Sequence, residues 1–398
     1  MLVEGGVSPS SRVSTRSLMY VLCTFLFAVG SYILTPFFAI YVSDSLGFGL
    51  AFAGSLITIK IVVQRGLSIV GGALSDQYPS HQVAMLGVAA RCFSYLLLAI
   101  NPTEVTLVLS AVLNGVGSAL FHPSVRKLLF LPYKDNDALL QKVIVWRSMS
   151  LNTGTAIGPV IGSLLISEHF SAACIAIAAI YACSVVVFIG ARAETDDQAR
   201  PTPMPLSVNT VRQAISLQVL SVLKLQFAFI FLYSHLEYLL PVFVEQTFST
   251  KMVAAMFMVN SFVVILLQSK IAKLALGANA IQLSLVVVFG LLYLASEISD
   301  DRFYWAPAAL LLGVVVFSVF EIACSFRVDY QLTKVSDDSL SGTVFGCASA
   351  IAALAFLLAN AVNYWLYEWL GFANLWASYL GLCSLAFLFS YISNKEKF

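Results

Sequence analysis

Residues 192–213 read RAETDDQARPTPMPLSVNTVRQ, which is the longest polar stretch of an otherwise apolar chain. Its charged residues, polar residues and three prolines cannot bury enough apolar surface to form a packed core. Apolar runs bounded by polar or turn residues occur six times before this stretch and six times after it. The pattern predicts a linker between two halves that contain equal numbers of apolar segments.

The composition of the whole chain excludes an ordinary soluble domain. Of its 398 residues, 59% are hydrophobic and 11% are charged, whereas soluble domains carry about 25% charged residues. Part of the protein must therefore face lipid, and the runs approach the ~20 residues that cross a bilayer. The predicted spans cover residues 17–42, 49–75, 83–100, 104–130, 139–166, 168–191, 216–245, 251–275, 278–297, 303–328, 339–367 and 369–393.

These runs predict an all-α membrane protein with twelve transmembrane helices in two six-helix, pseudo-symmetric bundles, both termini being cytoplasmic. We expect an N-terminal tail at residues 1–16, bundles at 17–191 and 216–393, a linker at 192–215 and a tail at 394–398. The first run is too long for a signal-peptide core and has no A-x-A-type cleavage site, so it predicts a retained span.

The basic residues support this topology. With a cytoplasmic N-terminus, fifteen lysines and arginines fall in cytoplasmic segments, and only Lys251 and Arg302 fall on the opposite side. Such an excess is typical of cytoplasmic loops, and a miscounted span would mix the two sets. The cytoplasmic set consists of Arg12, Arg16, Arg126, Lys127, Lys134, Lys142, Arg192, Arg200, Arg212, Lys270, Lys273, Arg327, Lys334, Lys395 and Lys397.

A weak internal repeat also links the two halves. Residues 135–139, before the fifth span, read DNDAL, and residues 337–340, before the eleventh, read DDSL. With the six-plus-six division, this match favours parallel halves related by an axis along the membrane normal, which would put a substrate site between them.

Other features exclude several classes of function. The net charge is +1, which indicates neither a nucleic acid nor an acidic partner. The seven cysteines lie in apolar segments without a CxxC pair, as is typical of small buried hydrophobes. The chain has no HExxH zinc helix and no GxxxxGK[ST] nucleotide loop. We therefore predict no cofactor, no metal and no enzymatic activity, and an ion or solute gradient as the energy source.

Two glycine-containing segments carry most of the remaining information. Residues 72–76 read GALSD, and an aspartate at a helix end binds backbone amides or a cation, although an ordinary polar loop gives the same pattern. Residues 154–163 read GTAIGPVIGS, in which glycines four residues apart line one helix face and allow close packing. A generic packing stripe is the alternative. The residues concerned are Asp76, Gly154, Gly158, Pro159 and Gly162, of which the proline can kink the helix.

Both segments resemble motifs of the major facilitator superfamily. Residues 72–76 match the G-x-L-x-D of its loop 2–3, and residues 154–163 resemble the g-x-x-x-G-P-x-x-G-G of its fifth span. The second motif is associated with the drug:proton antiporter branch. Residues 64–73 and 115–123, together with Glu321, are similar to bacterial multidrug exporters of the MdtH type. The resemblance implies proton-coupled export by alternating access, with Asp76 and the glycine-proline face of the fifth span in gating.

The chain departs from the family pattern in two places. No lysine or arginine follows Asp76 within residues 77–82, where the family has several. The family usually has an arginine in span 4, four residues before a glycine. In this chain that position is Ala111, four residues before Gly115. Proton coupling through that arginine is therefore excluded.

Charges inside the predicted spans point to a cavity. A charge near mid-bilayer costs at least ~2.5–3.5 kcal/mol, so it usually faces water or a partner. Five basic residues oppose two acidic ones, which predicts a positive cavity that favours an anionic or zwitterionic substrate. Some of these charges have other predicted roles: Lys224 snorkels to the interface, Arg91 snorkels or forms a structural pair, and Arg147 pairs with Glu321. The charged residues are Lys60, Arg65, Arg91, Arg147, Lys224, Glu237 and Glu321.

Three sets of site residues follow. The substrate-binding candidates are Lys60, Gln64, Arg65, Tyr233 and Tyr238, plain packing being the alternative for the tyrosines. The proton-coupling candidates are Glu237 and Glu321, with His122 and His235 as possible relays. For gating, we expect Asp76 to pair with Arg126, or to cap the eleventh span, and to hold the outward-open state.

The leading functional prediction is a multidrug-type exporter of a small organic molecule by proton antiport. The alternative is a dedicated exporter of an anionic metabolite or carboxylate siderophore, which the basic interior and Ala111 favour. The predicted partners are the substrate, the coupling proton and the lipid bilayer, with no nucleic acid, for a monomer in a bacterial inner membrane.

Overall fold

The described part of the protein is built from α-helices and short helical turns. The structure is a computed structural model that describes residues 12–165, 170–191, 207–274, 276–297 and 305–395. Within these ranges no strand is present. The helices are α1 Thr15–Ile40, α2 Leu50–Gly66, α3 Ser68–Gln77, α4 Ser80–Ile100, α5 Glu104–Phe130, α6 Asp137–Leu165, α7 Phe170–Gly190, α8 Val208–Ala214, α9 Leu217–Ser234, α10 Leu240–Thr247, α11 Thr250–Leu274, α12 Ala278–Glu297, α13 Trp305–Val335 and α14 Ser341–Lys395.

Ten helical stretches of the described chain are long and apolar enough to cross a membrane. One of them, Asp338–Phe389, has 52 residues and contains Gly371 at a φ of 68°, where the backbone leaves the helical conformation. The 29-residue helix α6 is not among the ten. An apolar helix satisfies its own backbone hydrogen bonds in lipid, so the prediction of a multi-pass helical membrane protein is confirmed.

The predicted linker contains a short helix in its second part. Ser207 caps α8, its hydroxyl accepting a hydrogen bond from the Thr210 amide at 3.2 Å, and Ser216 caps α9 in the same way. Residues 208–214 of the predicted linker are therefore helical, while residues 192–206 lie outside the described residues. Most of the N-terminal tail, residues 1–11, lies outside them as well, and so do residues 396–398 of the C-terminal tail.

Helices α1 to α7 pack into a first half. The glycine face of α6 lies against α1, as close packing of small residues predicts. A Cβ atom added at Gly154 would lie 2.5 Å from the Ala28 Cβ atom, and one at Gly158 would lie 2.7 Å from the Tyr32 Cβ atom. A Cβ atom added at Gly162 would lie still closer to an atom of α1, the Ile33 carbonyl oxygen. Pro159 lies within the same helix.

Helices α9 to α14 pack into a second half. Helix α12 contacts α13 and α14, and α9 contacts the same two helices. Its core is aromatic: the buried Trp376 lies beside Phe243 and Phe289, with ring centroids 5.8 and 6.2 Å apart.

The two halves meet through few helices. Helix α14 packs on α3 and α5, and α6 contacts α11 and α13. At Gly72, Gly342 and Gly346 the backbones of α3 and α14 approach so closely that any Cβ atom would collide with a carbonyl oxygen of the other half. These contacts position the charged residues described next.

Candidate functional site

Asp76 caps the helix that begins at Ser341. Its carboxylate accepts hydrogen bonds from the backbone amides of Gly342 and Thr343 at 2.8 and 2.7 Å, and from the Thr343 hydroxyl at 2.7 Å. A carboxylate at a helix N-terminus is stabilised by these amides and by the helix dipole. Of the two predicted arrangements, the cap on the eleventh span is the one present. The predicted Asp76–Arg126 pair is wrong, because Lys127 forms the ion pair, at 2.6 Å.

Arg126 and Arg147 share a different carboxylate. The Arg126 Nε atom lies 3.5 Å from one oxygen of Asp329, and the Arg147 Nη1 atom lies 3.3 Å from the other. Arg147 and Asp329 are both buried. The predicted Arg147–Glu321 pair is therefore wrong. Glu321 instead accepts a hydrogen bond from the Asn260 side chain at 2.9 Å.

Two ion pairs link the loop before α6 to the loop before α14. Lys134 binds Asp338 at 2.5 Å, and Lys334 binds Asp137 at 2.5 Å. The pairs are reciprocal, because each half contributes one lysine and one aspartate. The turn before α14 is fixed by Asp337, whose carboxylate accepts bonds from the Ser339 hydroxyl and amide, and these bonds lower the Asp337 pKa.

We refer to these contacts between the halves as the junction. It is defined by the residues that join the two halves at one end of the molecule: Asp76, Lys127, Lys134, Asp137, Lys334, Asp338, Gly342 and Thr343.

A polar cavity of about 200 Å³ lies between the two halves. It is lined from the first half and, through Ser349 of α14, from the second half. Three guanidinium groups and one imidazole face this cavity, and Asp329 pairs with two of the arginines, Arg126 and Arg147. Arg65 forms no ion pair with any described residue, although it is close enough to Glu237 for their charges to interact. The lining residues are Gln64, Arg65, Ser68, Ser118, His122, Arg126, Arg147 and Ser349.

The second half contributes two carboxylates near this space. Glu321 is held by Asn260, which also donates a hydrogen bond to Ser318 at 3.0 Å. Tyr233 and Glu237 are close enough to interact, and Tyr233 also lies within the electrostatic range of Glu321. Glu237 lies in a π-helical turn, His235–Leu239, and is solvent-exposed.

The structure groups some of the predicted substrate residues and separates others. Gln64 and Arg65 line the polar cavity, whereas Lys60 lines a separate cavity within the first half. Neither Tyr233 nor Tyr238 lines either cavity; Tyr238 is 39% exposed.

Two expectations about isolated charges have different outcomes. Lys224 is exposed, and its snorkelling to the membrane interface stays a prediction. Arg91 does not snorkel, and it pairs with no acid in the described part of the chain. It is 2% exposed, with its guanidinium 4.5 Å from the Phe27 ring centroid and 5.1 Å from that of Tyr181. Its Nη1 atom donates a hydrogen bond to Ser118 at 2.8 Å. Cation–π contacts thus stabilise the Arg91 guanidinium in place of the predicted snorkelling or structural pair.

Sequence reasoning missed Asp329, which pairs with two arginines of the polar cavity, and it missed several residues that line the cavity. Asp329 was not considered, because the tenth span was predicted to end at residue 328 whereas α13 continues to Val335. Ser118 and Ser349 gave no signal, since serines are common in membrane helices. Among the described residues, no group of three or more His, Cys, Asp or Glu side chains is arranged to hold a metal ion.

Comparisons with known proteins agree with this fold. The family model described as Major Facilitator Superfamily matches residues 20–330. The multidrug resistance protein MdtH of Aeromonas hydrophila subsp. hydrophila is 25% identical over 186 residues, 47% of this chain and 46% of that protein. The chain thus matches about half the length of that relative. An uncharacterised MFS-type transporter of Mycobacterium tuberculosis is 24% identical over 83% of this chain and 81% of its own.

The same fold occurs in solved structures. The crystal structure of the human organic anion transporter MFSD10 (TETRAN) superposes with a TM-score of 0.75 at 15% identity. The superposition covers 94% of this chain and 99% of that one.

Proposed function

Because this chain belongs to the major facilitator superfamily of secondary transporters, we propose that it exports a small organic anion by alternating access. One observation carries the proposal: the cavity between the halves is lined by Arg65, Arg126, Arg147 and His122. Guanidinium groups bind carboxylates through paired, charge-assisted hydrogen bonds. Asp329 contacts two of the arginines and leaves Arg65 for a ligand.

The architecture in this proposal has twelve spans in two six-helix bundles, with both ends of the chain cytoplasmic. Gly371 divides the 52-residue stretch into two spans, and α6 is long enough, at 29 residues, to supply another. The excess of basic residues on one side supports this orientation. The junction then lies at the cytoplasmic end, so the cavity opens to the outside.

The junction is the proposed cytoplasmic gate. Asp76 holds the start of α14, and the two reciprocal ion pairs join the loops beside it. Inward opening requires these contacts to break together. Small residues at Gly154, Gly158 and Gly162, with Pro159, let α6 move against α1 during that change.

Glu237 and Glu321 are the proposed proton carriers. Both lie in the second half, and Glu237 interacts electrostatically with Arg65. An anion that binds at Arg65 weakens the hold of Arg65 on Glu237 and makes Glu237 easier to protonate, so substrate and proton favour each other's binding. This coupling carries a proton in the same direction as the anion, whereas the predicted antiport requires the two to exclude each other.

A second candidate is multidrug efflux, which the name of the MdtH relative favours. A lipophilic cation would bind at Glu237 and Glu321 instead of at the arginines. We favour the anion because cations outnumber carboxylates in the polar cavity. The proposed setting is a monomer in a bacterial inner membrane.

Transport in proteoliposomes tests the two candidates against each other. With an imposed pH gradient, the protein should move radiolabelled citrate, and Arg65→Gln should reduce the rate at least tenfold. Arg212→Gln removes an exposed arginine on α8 and serves as the matched control. Transport of tetraphenylphosphonium in place of citrate would support multidrug efflux and contradict the anion proposal.

A further inference from the structure

The first half contains a second cavity, of about 160 Å³, which is partly open and lined by residues of α1, α2, α4 and α5. Its wall is mostly aliphatic and aromatic, with Leu34, Phe38 and Leu98 among the lining residues. Lys60 is the one charged residue in the lining, and Ser110 and Asn114 are nearby polar groups. None of its lining residues lines the polar cavity between the halves.

The charge in this cavity is not compensated by the protein. The Lys60 amine forms no hydrogen bond or ion pair with any described residue. The charged group that acts on it is Arg91, which is also a cation. The Nε and Nη2 atoms of Arg91 have no hydrogen-bond partner in the described part of the chain. Lys60 is half-buried, and a cation that lies among apolar side chains without a partner is unfavourable, so a bound anion would relieve that cost.

We propose that this cavity is a second binding site, for an aliphatic monocarboxylate. The carboxylate binds the Lys60 amine, and the alkyl chain lies against Leu34, Phe38 and Leu98. A single cation suits a single carboxylate, because a second one would be buried against apolar side chains without a partner. The site does not depend on the arginine cavity, so it is separate from the proposed transport function.

The distinctive test of such a site is how its affinity changes with the length of the ligand's alkyl chain. Each methylene buried from water strengthens binding about fourfold, which corresponds to about 0.8 kcal/mol per CH₂. Affinity should therefore rise from butyrate to hexanoate to octanoate, and should level off once the chain fills the cavity. Citrate, with three carboxylates and no alkyl chain, should not compete.

Calorimetric titration of the full-length protein in phosphatidylcholine nanodiscs tests the proposal, with empty nanodiscs subtracted. We expect octanoate to bind at least tenfold more weakly to Lys60→Gln, and Lys60→Arg to restore most of the affinity, because charge-assisted hydrogen bonds are the strong ones. Ala111→Leu fills the apolar part of the cavity without removing the charge and should weaken octanoate more than butyrate. If Lys60→Gln does not fold, the octanoate and butyrate affinities of Ala111→Leu test the proposal in its place.

Citrate titrations of the same variants separate this site from the transport site. Citrate binding should survive Lys60→Gln and be lost in Arg65→Gln, with the opposite pattern for octanoate. Octanoate binding that is unchanged in Lys60→Gln, independent of chain length, or equal in empty nanodiscs would overturn the proposal. Loss of octanoate binding in Arg65→Gln to the same extent as in Lys60→Gln would also overturn it.

Discussion

Asp76 and Thr343 join the two halves of the protein, because the Asp76 carboxylate accepts hydrogen bonds from both the amide and the hydroxyl of Thr343. The same carboxylate binds Lys127. One side chain thus caps a helix of the second half and pairs with a cation of the first half. Such a contact can stabilise only the conformation in which the junction is closed.

Removing the charge of Asp76 should loosen the junction. Asparagine keeps only one of the two oxygens that accept these hydrogen bonds, and loss of one hydrogen bond costs about 1 kcal/mol, or about a fivefold change in an equilibrium. Cys347, which is 4% exposed and lies one turn beyond Thr343, is a native reporter of opening. In a variant that keeps only this cysteine, Asp76→Asn should raise its rate of maleimide labelling about fivefold.

Glu104→Gln is the matched control for Asp76→Asn, because Glu104 is an exposed carboxylate in the first turn of α5. It should leave Cys347 labelling unchanged. Equal labelling rates in Asp76→Asn and the parent would show that the cap does not hold the closed state.

The reciprocal ion pairs of the junction should be exchangeable. Lys134→Asp places two acids together and should increase Cys347 labelling, whereas adding Asp338→Lys restores an opposite-charge pair. Exposed pairs contribute only ~0.2–1 kcal/mol, so we expect a change of no more than about fivefold. A double variant that labels as fast as the single variant would exclude direct pairing.

Glu321→Gln should separate transport from proton coupling. The amide keeps a partner for Asn260 but cannot carry a proton. We expect exchange of labelled for unlabelled citrate to continue, while accumulation driven by a pH gradient is lost. Accumulation at the parent rate in this variant would remove Glu321 from the coupling mechanism, and Glu237→Gln is then the next variant to test.

Packing of α6 on α1 should be sensitive to a single methyl group. Gly158→Ala places a Cβ atom 2.7 Å from the Tyr32 Cβ atom, so the helices must separate. Overpacking of this kind costs ~1–3 kcal/mol, and the thermal unfolding temperature should fall. At Gly190, an added Cβ atom would meet no other described part of the chain within 4 Å, so Gly190→Ala should leave that temperature unchanged. Equal values for both variants would show that α6 can shift freely.

The sequence predicted the helices better than their contacts. Apolar runs located the spans, because each run must be long enough to match the thickness of the bilayer. Lys60 and Arg65, five residues apart on α2, were predicted to share a role, yet they line different cavities. Five residues turn an α-helix by about 1.4 revolutions, so the two side chains point about 140° apart around the helix axis.

Partners from distant helices could not be found in this way. Asp329 binds Arg126 and Arg147, which are about 200 residues away in sequence and belong to the other half. The weak repeat indicated that the halves are related, but it did not indicate how their charges meet. The cap on α14 was one of the two arrangements predicted for Asp76, because a carboxylate at a helix end binds either backbone amides or a cation.

Citrate binding to the purified protein tests the central claim most directly. Calorimetric titration should show binding to the parent protein and to Arg212→Gln, and at least tenfold weaker binding to Arg65→Gln. Tetraphenylphosphonium should not displace the citrate. Citrate binding that is equal in Arg65→Gln and the parent, or absent while tetraphenylphosphonium binds at Glu237, would contradict an anion site between the halves.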